Sequence, residues 1–559
     1  MLRKRKVASN SFHLNQEKKK KYAGESRIIN IIIYCLGALF AITILIWFQQ
    51  LFSFITEFDA NENDSTTNAN VLSSSLSQQN KKVLNNAPHL IPKFTTLPAF
   101  AKIPNADKLI EETSSGDSPT MAGIIAMLQN FLYELHEMQT NLKKKRPLNK
   151  VKIIKSYFDL VSQYLVPFDK LYRDRPIFEI REDDSIFVSI AAFREHLLDQ
   201  TMRYAFDNAK DPDKIFFGVV VQNCFGLNGE KLPCKTGAQV VGKNKKGRDI
   251  TKVSDAPPDV NGIETFCNER KYKKYCDSLQ VRAIYVDESE ALGPANARYY
   301  ASKLWGGETY FMQVDSHLQF AKNWDLEFIH EAKAAKSFPK VVLSSYPPGF
   351  EGSEGMISGG SKGSRLCFCE FSQSDVEESI IRISSQGSYN GGESRPRQIA
   401  FIAAGFFFAR AEFLVDVPFD PFLPWCFMGE EILLSLRAWT SGWNIYAPRK
   451  NLIAHQYRPG RMGLPKFWGS VGRTWGQPGP GLMNQLEANV IDRIKYLVGY
   501  PESSKEKIDE KGLSFLLRDL DIYGIGSERS FEDYMKLTNI NMQTKHCGHM
   551  KWCNNAELE

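Results

Sequence analysis

Between residues 185 and 345 the chain repeats one pattern: a short β-branched or aromatic run, then a segment with helical spacing or a turn. Ser185–Ile190, Ile215–Gln222, Val281–Val286, Tyr310–Val314 and Val341–Ser345 are the runs, and residues 197–208, 294–304 and 324–335 carry helical character. Runs that are apolar throughout are what strands covered on both faces look like. Their alternation with helices confines this region to the α/β class, with a mainly parallel sheet flanked by helices. The fourth run ends abruptly in Asp315-Ser316-His317. Side chains alternate along an extended backbone, so Asp315 and His317 should project to one side. They would sit at the C-terminal end of a strand, where open α/β sheets bind ligands. A carboxylate and an imidazole together suit a divalent cation. Taken alone, Tyr310–His317 reads sooner as a strand running into a polar turn whose histidine is merely solvated, so the rest of the chain has to decide.

Other candidates follow in order. Gly293-Pro294 opens a helix that carries Arg298, and a helix N-terminus with an arginine suits a phosphate. Glu430 and Glu431 start a helix directly after an aromatic turn, where they could simply partner the helix dipole, or their apolar neighbours could wall at least one of them off from water. His455 follows a strand-like Asn444–Tyr446 and would complete an O/N ligand set with Asp315 and His317. Residues 226–262 and 349–364 read as exposed loops, and residues 462–482, rich in Gly and Pro with Trp468 and Trp475, as a lid. No Gly-x-Gly-x-x-Gly after a strand, no phosphate-binding Gly-Lys-Ser/Thr loop, no Gly-x-Ser-x-Gly and no His-Glu-x-x-His is present. Dinucleotide, P-loop and the commonest hydrolase chemistries therefore lose their usual support.

The amino-terminal third sets the expected address. Residues 1–27 form a basic tail. Residues 28–48 hold no charge, about the length a helix needs to cross hydrocarbon. The far flank, Glu57, Asp59, Glu62 and Asp64, is acidic, so the basic side should stay cytosolic and the chain beyond should be lumenal. This reads as a single-pass type II signal anchor. Residues 49–150 read as a stalk, 151–500 as the catalytic head and 501–559 as a tail. Within the stalk, Ile124, Leu128, Phe131, Leu135, Met138 and Leu142 keep a heptad seam across 121–143. The seam admits a short coiled coil that makes a homodimer, or an amphipathic helix packed on the head. Nine of the ten cysteines would face an oxidising lumen, which favours disulfides over zinc and leaves at least one thiol unpaired. Cys224 with Cys234 and Cys267 with Cys276 could each close a short loop, and Asn63-Asp64-Ser65 is a glycosylation sequon. The net charge of +6 lies largely in the basic tail, so nothing requires a nucleic-acid surface.

The ordered set Val188–Arg194, Gly293-Pro294-x-x-Ala297-Arg298, Gln313–His317, Gly429–Ile432, Leu436–Pro448 and His455-x-Tyr457 resembles the polypeptide α-N-acetylglucosaminyltransferase family. The resemblance covers roughly residues 183–500 and implies a nucleotide-diphospho-sugar transferase of the GT-A type. It implies that Asp315, His317 and His455 hold a metal, with Mn²⁺ the best fit and Mg²⁺ the alternative. Ser189, Ala191, Phe193 and Arg194 would line the uridine pocket. Arg298 and Gln313 would approach the nucleotide or diphosphate. Glu430 and Glu431 would be the carboxylates at the sugar and acceptor end, Glu430 first. The donor would be UDP-GlcNAc and the product would retain the donor's α configuration. The anchor implies a Golgi membrane address, with the ER as alternative. The acceptor would then be a secretory polypeptide bearing Ser or Thr, or hydroxyproline as in cytosolic members. The competing readings are a transferase using another UDP-sugar or a glycan acceptor, and a non-catalytic lectin on the same fold.

Overall fold

In the computed structural model the described residues are 106–115, 119–226, 234–244, 247, 249–350, 364–373, 379–385, 394–457, 466–477 and 480–555. The expected anchor at 28–48, the basic tail and most of the stalk lie outside them. Among the described residues no helix is long and apolar enough to cross a membrane.

Eight strands form one mixed sheet. Numbered along the chain they are β1 Ile186–Phe193, β2 Ile215–Asn223, β3 Val281–Asp287, β4 Tyr310–Val314, β5 Val341–Ser344, β6 Arg397–Gln398, β7 Phe406–Arg410 and β8 Asn444–Ala447. Across the sheet the order is β6-β8-β5-β7-β4-β1-β2-β3. β4, β1, β2 and β3 run parallel, as do β5 and β8, while β7 is antiparallel to both neighbours and β6 to β8. The five runs singled out in the sequence are five of these strands. The strongly apolar stretch before Arg410 supplies the antiparallel β7, which apolar composition alone could not orient.

Alternation sorts each strand onto two cores. Phe187, Val220, Phe311 and Phe407 face one, and Val188, Val219, Met312 and Phe408 face the other. The first face is covered by helices α1 Met121–Lys143, α2 Lys150–Tyr164, α4 Pro294–Ser302, α6 Glu430–Thr440 and α8 Gly481–Val498. The second is covered by α3 Leu198–Asn208 and α5 Trp324–Ala334. The remaining helix used below is α7, Phe467–Thr474.

Two expected boundaries move. The heptad seam of α1 is not a dimer interface: Ile124, Leu128, Phe131 and Leu135 are all buried in the core of the head, with Phe131 against Tyr157 and Tyr300. Thr120 caps this helix, its side chain accepting from the Gly123 N–H. Apolar residues on one face of a helix bury themselves on the nearest apolar surface, and here that surface lies in the same chain. Nor does the head stop near 500. Disulfides Cys367–Cys553 and Cys369–Cys547 tie the carboxy-terminal residues to the head. Buried Arg493 pairs with Asp420 (2.7 Å) and also donates to the Leu516 and Arg518 carbonyls. The other two disulfides are Cys224–Cys234 and Cys267–Cys276, and Cys426 is a free, buried thiol. The 226–262 excursion carries two antiparallel ribbons rather than a plain loop: 239–243 with 249–252, which is exposed, and 234–235 with 255–256, which buries Cys234.

Candidate metal and sugar-transfer site

The C-terminal ends of β1, β3 and β4 converge with the start of α6, and the candidate residues gather there. β4 ends at Val314, and the Asp315 N–H donates to the Gly405 carbonyl (3.3 Å) at the turn into β7. A Cβ on Gly405 would stand 2.8 Å from Asp315 Oδ2, so any side chain there would push the carboxylate from its place. Beyond Asp315 the Thr201 hydroxyl clamps the turn, donating to the Ser316 carbonyl and accepting from the Leu318 N–H (2.9 Å each). Leu318–Phe320 then pairs antiparallel with Ile453–His455, placing His455 opposite Leu318. This small ribbon brings a histidine from far down the chain to Asp315 and His317.

The three side chains form one cluster whose ligand atoms all lie within 4.8 Å of one another. His455 Nε2 is 2.9 Å from Asp315 Oδ2, and the His317 and His455 ring centroids are 4.7 Å apart. Asp315 is 28% exposed, His317 14% and His455 12%. An ion about 2.1 Å from each ligand holds those ligands about 3 to 4 Å apart, so a contraction of roughly 1–2 Å at the widest separation would close this set on one ion. His317 Nδ1 is 2.8 Å from Glu195 Oε2. That contact commits Nδ1 and leaves Nε2 as the ligating nitrogen, the carboxylate–histidine arrangement common behind metal sites. At His455 it is Nε2 that faces Asp315, while Nδ1 is buried with no hydrogen-bond partner among the described residues. One oxygen and two nitrogen donors, partly open to solvent, fit a divalent cation such as Mn²⁺.

Arg298, on α4, does not point at open space. Its guanidinium bridges Asp315 Oδ1 (3.2 Å) and Glu430 Oε2. It acts in this state as a counter-ion between two carboxylates, so its expected approach to the diphosphate would require it to exchange partners. Burial alone would raise Asp315, but the hydrogen bond to His455 and the charges of His455, Arg298 and His317 hold it well below the usual carboxylate range. Burial would lower His317; the contact with Glu195 and the charge of Asp315 outweigh it and raise it.

Glu430 and Glu431, adjacent in sequence, have different surroundings. Burial raises Glu430 despite the opposing Arg298 charge, and its Oε1 is buried without a partner among the described residues. Such an orphan acceptor is suited to a hydroxyl brought in by a ligand. Glu431 is pushed up to about 7 by burial. It accepts from the Tyr346 hydroxyl (2.9 Å to each oxygen) and from the Ala404 N–H (3.0 Å). Its acceptor capacity is largely taken up by the protein.

The β1 residues divide similarly. Ser189 and Gln313 are opposite one another in register and fully buried, so they form the floor beneath the site rather than its accessible lining. Gln313 Nε2 donates to the Ala404 carbonyl (2.6 Å), which ties the floor to the loop before β7. Ala191 and Phe193 are half-buried, and Phe193 meets Phe467 edge to face at 5.4 Å. Arg194, buried and at a φ of 47°, is held by Asp259 (2.7 and 2.8 Å) and by Glu288 (3.3 Å). Glu195, Gly405, Tyr346, Asp259 and Glu288 were not legible as site residues. Glu195 directly follows the Val188–Arg194 motif, and that adjacency was a usable signal; nothing in its surroundings marked Asp259.

Residues 185–544 match the family model "Glycosyltransferase (GlcNAc)". No curated protein matches the chain. Among solved structures it is similar to GalNAc-T7 with UDP, GalNAc and Mn²⁺, at 14% identity and a TM-score of 0.35, over 65% of this chain and 60% of that one. It is also similar to S. aureus TarS 1–349 in complex with UDP-GlcNAc, at 13% identity and a TM-score of 0.26, over 59% of this chain and 78% of that one. The chain thus spans under two thirds of GalNAc-T7, and at these scores neither likeness bears on mechanism. The family match runs from the first sheet strand to residue 544, just short of the disulfide-bonded Cys547, and the chain belongs to the GlcNAc glycosyltransferase family.

Proposed function

We propose that this glycosyltransferase transfers GlcNAc from UDP-GlcNAc to Ser or Thr hydroxyls, or hydroxyproline, of secretory polypeptides, with retention and with Mn²⁺ dependence. The observation that carries the proposal is the Asp315, His317 and His455 cluster at the strand ends, with Glu195 behind His317 and the Arg298–Glu430 pair beside it. A bound divalent cation would neutralise charge developing on the departing diphosphate.

The chain's own residues prepare that chemistry. Asp315 is kept ionised, as a ligand must be. Glu195 orients His317, and the Leu318/His455 ribbon fixes His455 at the same depth. Arg298 balances two carboxylates that would otherwise repel in a poorly solvated pocket. Glu430, whose Oε1 makes no well-formed hydrogen bond among the described residues, would accept from a hydroxyl or amide of the transferred sugar. Glu431 braces the wall through Tyr346 and Ala404. The acceptor proton would pass to a phosphate oxygen of the leaving UDP, which is why the reading assigns no protein base. The lumenal Golgi address is supported by four disulfides, which persist in oxidising compartments.

The test is to incubate the purified full chain with a panel of UDP-sugars, with and without Mn²⁺, and Thr-rich peptides or oligosaccharide acceptors. An α-linked GlcNAc-peptide formed only with metal supports the reading. A β-linked product seen by NMR would refute retention, and transfer to glycan alone would refute the polypeptide acceptor.

A further inference from the structure

A row of aromatic rings leads away from the end of β1 toward α6. Phe193 meets Phe467 (5.4 Å, 77°), Phe467 meets Trp468 (5.5 Å, 79°) and Trp468 meets Phe427 (5.1 Å, 65°). Phe467 and Trp468 open α7, and Phe427 lies three residues before Glu430. Phe467 lies 3.6 Å from where a Cβ on Gly293 would stand, and Gly293 begins the helix that carries Arg298. Exposure rises outward, from half-buried Phe193, Phe467 and Trp468 to Phe427 at 51%. A single phenylalanine half in water is ordinary on a protein surface; what sets Phe427 apart is that it ends a contiguous row of rings beside the site.

The outer pair is built rather than incidental. Buried Glu487, on α8, accepts from the Phe427 N–H with one oxygen (2.9 Å) and from Trp468 Nε1 with the other (3.1 Å). One carboxylate therefore fixes both the loop that presents Phe427 and the indole beside it. The same contacts determine what the surface can recognise. Trp468 spends its only donor on Glu487, and phenylalanine has none, so the rings offer a ligand no hydrogen bond. A sugar ring laid there would leave its hydroxyls unmatched by these side chains, whereas an apolar side chain would lose nothing.

We propose that Phe427 and Trp468 form an acceptor shelf that stacks on a proline, or another apolar side chain, next to the acceptor hydroxyl of a polypeptide. The inference rests on the transferase reading above and adds the sequence context of its acceptor. Because Phe427 sits just ahead of Glu430, a chain lying on the shelf enters from the side of α6, away from the Arg194 end of the row.

The experiment compares the full chain with Phe427→Ala and Phe427→Tyr on two Thr peptides, one with Pro on both sides of the Thr and one with Gly. The wild type should prefer the Pro peptide, and Phe427→Ala should raise its KM roughly tenfold, the lower end of what one apolar contact contributes to discrimination. The Gly peptide should change little, the loss should fall on KM rather than kcat, and Phe427→Tyr should restore the preference. Calorimetric Kd for UDP should match the wild type. Equal KM values for wild type and Phe427→Ala on the Pro peptide would overturn the shelf, as would a weakened UDP Kd with peptide KM intact, which would assign the rings to the nucleotide. A wild type that turns over neither peptide would instead overturn the polypeptide reading itself.

Discussion

Replacing Glu195 isolates the part of the site that no ligand touches directly. Its Oε2 sits 2.8 Å from His317 Nδ1, its Oε1 accepts from the Leu197 N–H (2.9 Å), and its side chain is 4% exposed. The carboxylate is thus fixed at both ends and shielded from water. Glu195→Ala leaves a buried imidazole N–H without its acceptor, a cost of about 1–3 kcal/mol, and frees the ring to turn. Loss of such a partner typically weakens metal binding about 10- to 100-fold, or about 1.4–2.7 kcal/mol. Glu195→Gln keeps an acceptor oxygen but loses its charge, and charged hydrogen bonds are about twice as strong as neutral ones, so roughly half of that loss is expected. Titrating Mn²⁺ into each variant by electron paramagnetic resonance gives the Kd without turnover. The expected order of affinity is wild type, then Gln, then Ala, with circular dichroism unchanged. Equal Mn²⁺ affinity in all three would refute the assignment of Glu195 as the residue that orients His317.

Two further outcomes follow from buried charge. Glu431 is raised from its ordinary 4.5 to about 7, so the folded state holds this proton over a range in which the unfolded chain has lost it. Stability should therefore fall as pH rises from about 4.5 to 7, by up to about 3 kcal/mol; urea denaturation should show that slope in the wild type and a shallower one in Glu431→Gln, and identical slopes would contradict the assignment. Arg493→Met leaves Asp420, 1% exposed, as an unpaired buried charge. A destabilisation of about 3–5 kcal/mol is expected, with the segment around 516–518 cleaved sooner in limited proteolysis, and a change below about 1 kcal/mol would contradict this role.

The sheet was readable because strands buried on both faces must be apolar throughout, and helices of fixed period separate them. Asp315 and His317 were readable because they end such a strand. His455 was readable only as a matching residue type, since its position depends on a ribbon of three residues per strand whose pairing leaves no local pattern. The seam of α1 shows the opposite limit. Heptad spacing specifies an apolar face but not its partner, and here Phe131 meets Tyr157 and Tyr300 of the same chain, and Leu135 is buried in the same core, rather than against a second copy. The Arg298–Glu430 pair was hidden for a related reason: both residues looked available to a ligand until the fold set them against each other. Disulfides from 367 and 369 to the carboxy-terminal residues likewise join segments that composition had divided.

The most direct test of the central claim is Asp315→Ala in the full chain, measured for UDP-GlcNAc turnover and Mn²⁺ binding in the same preparation. The account predicts that both are lost together while circular dichroism and the four disulfides are retained. A folded Asp315→Ala protein that still binds Mn²⁺ and turns over UDP-GlcNAc at the wild-type rate would contradict it.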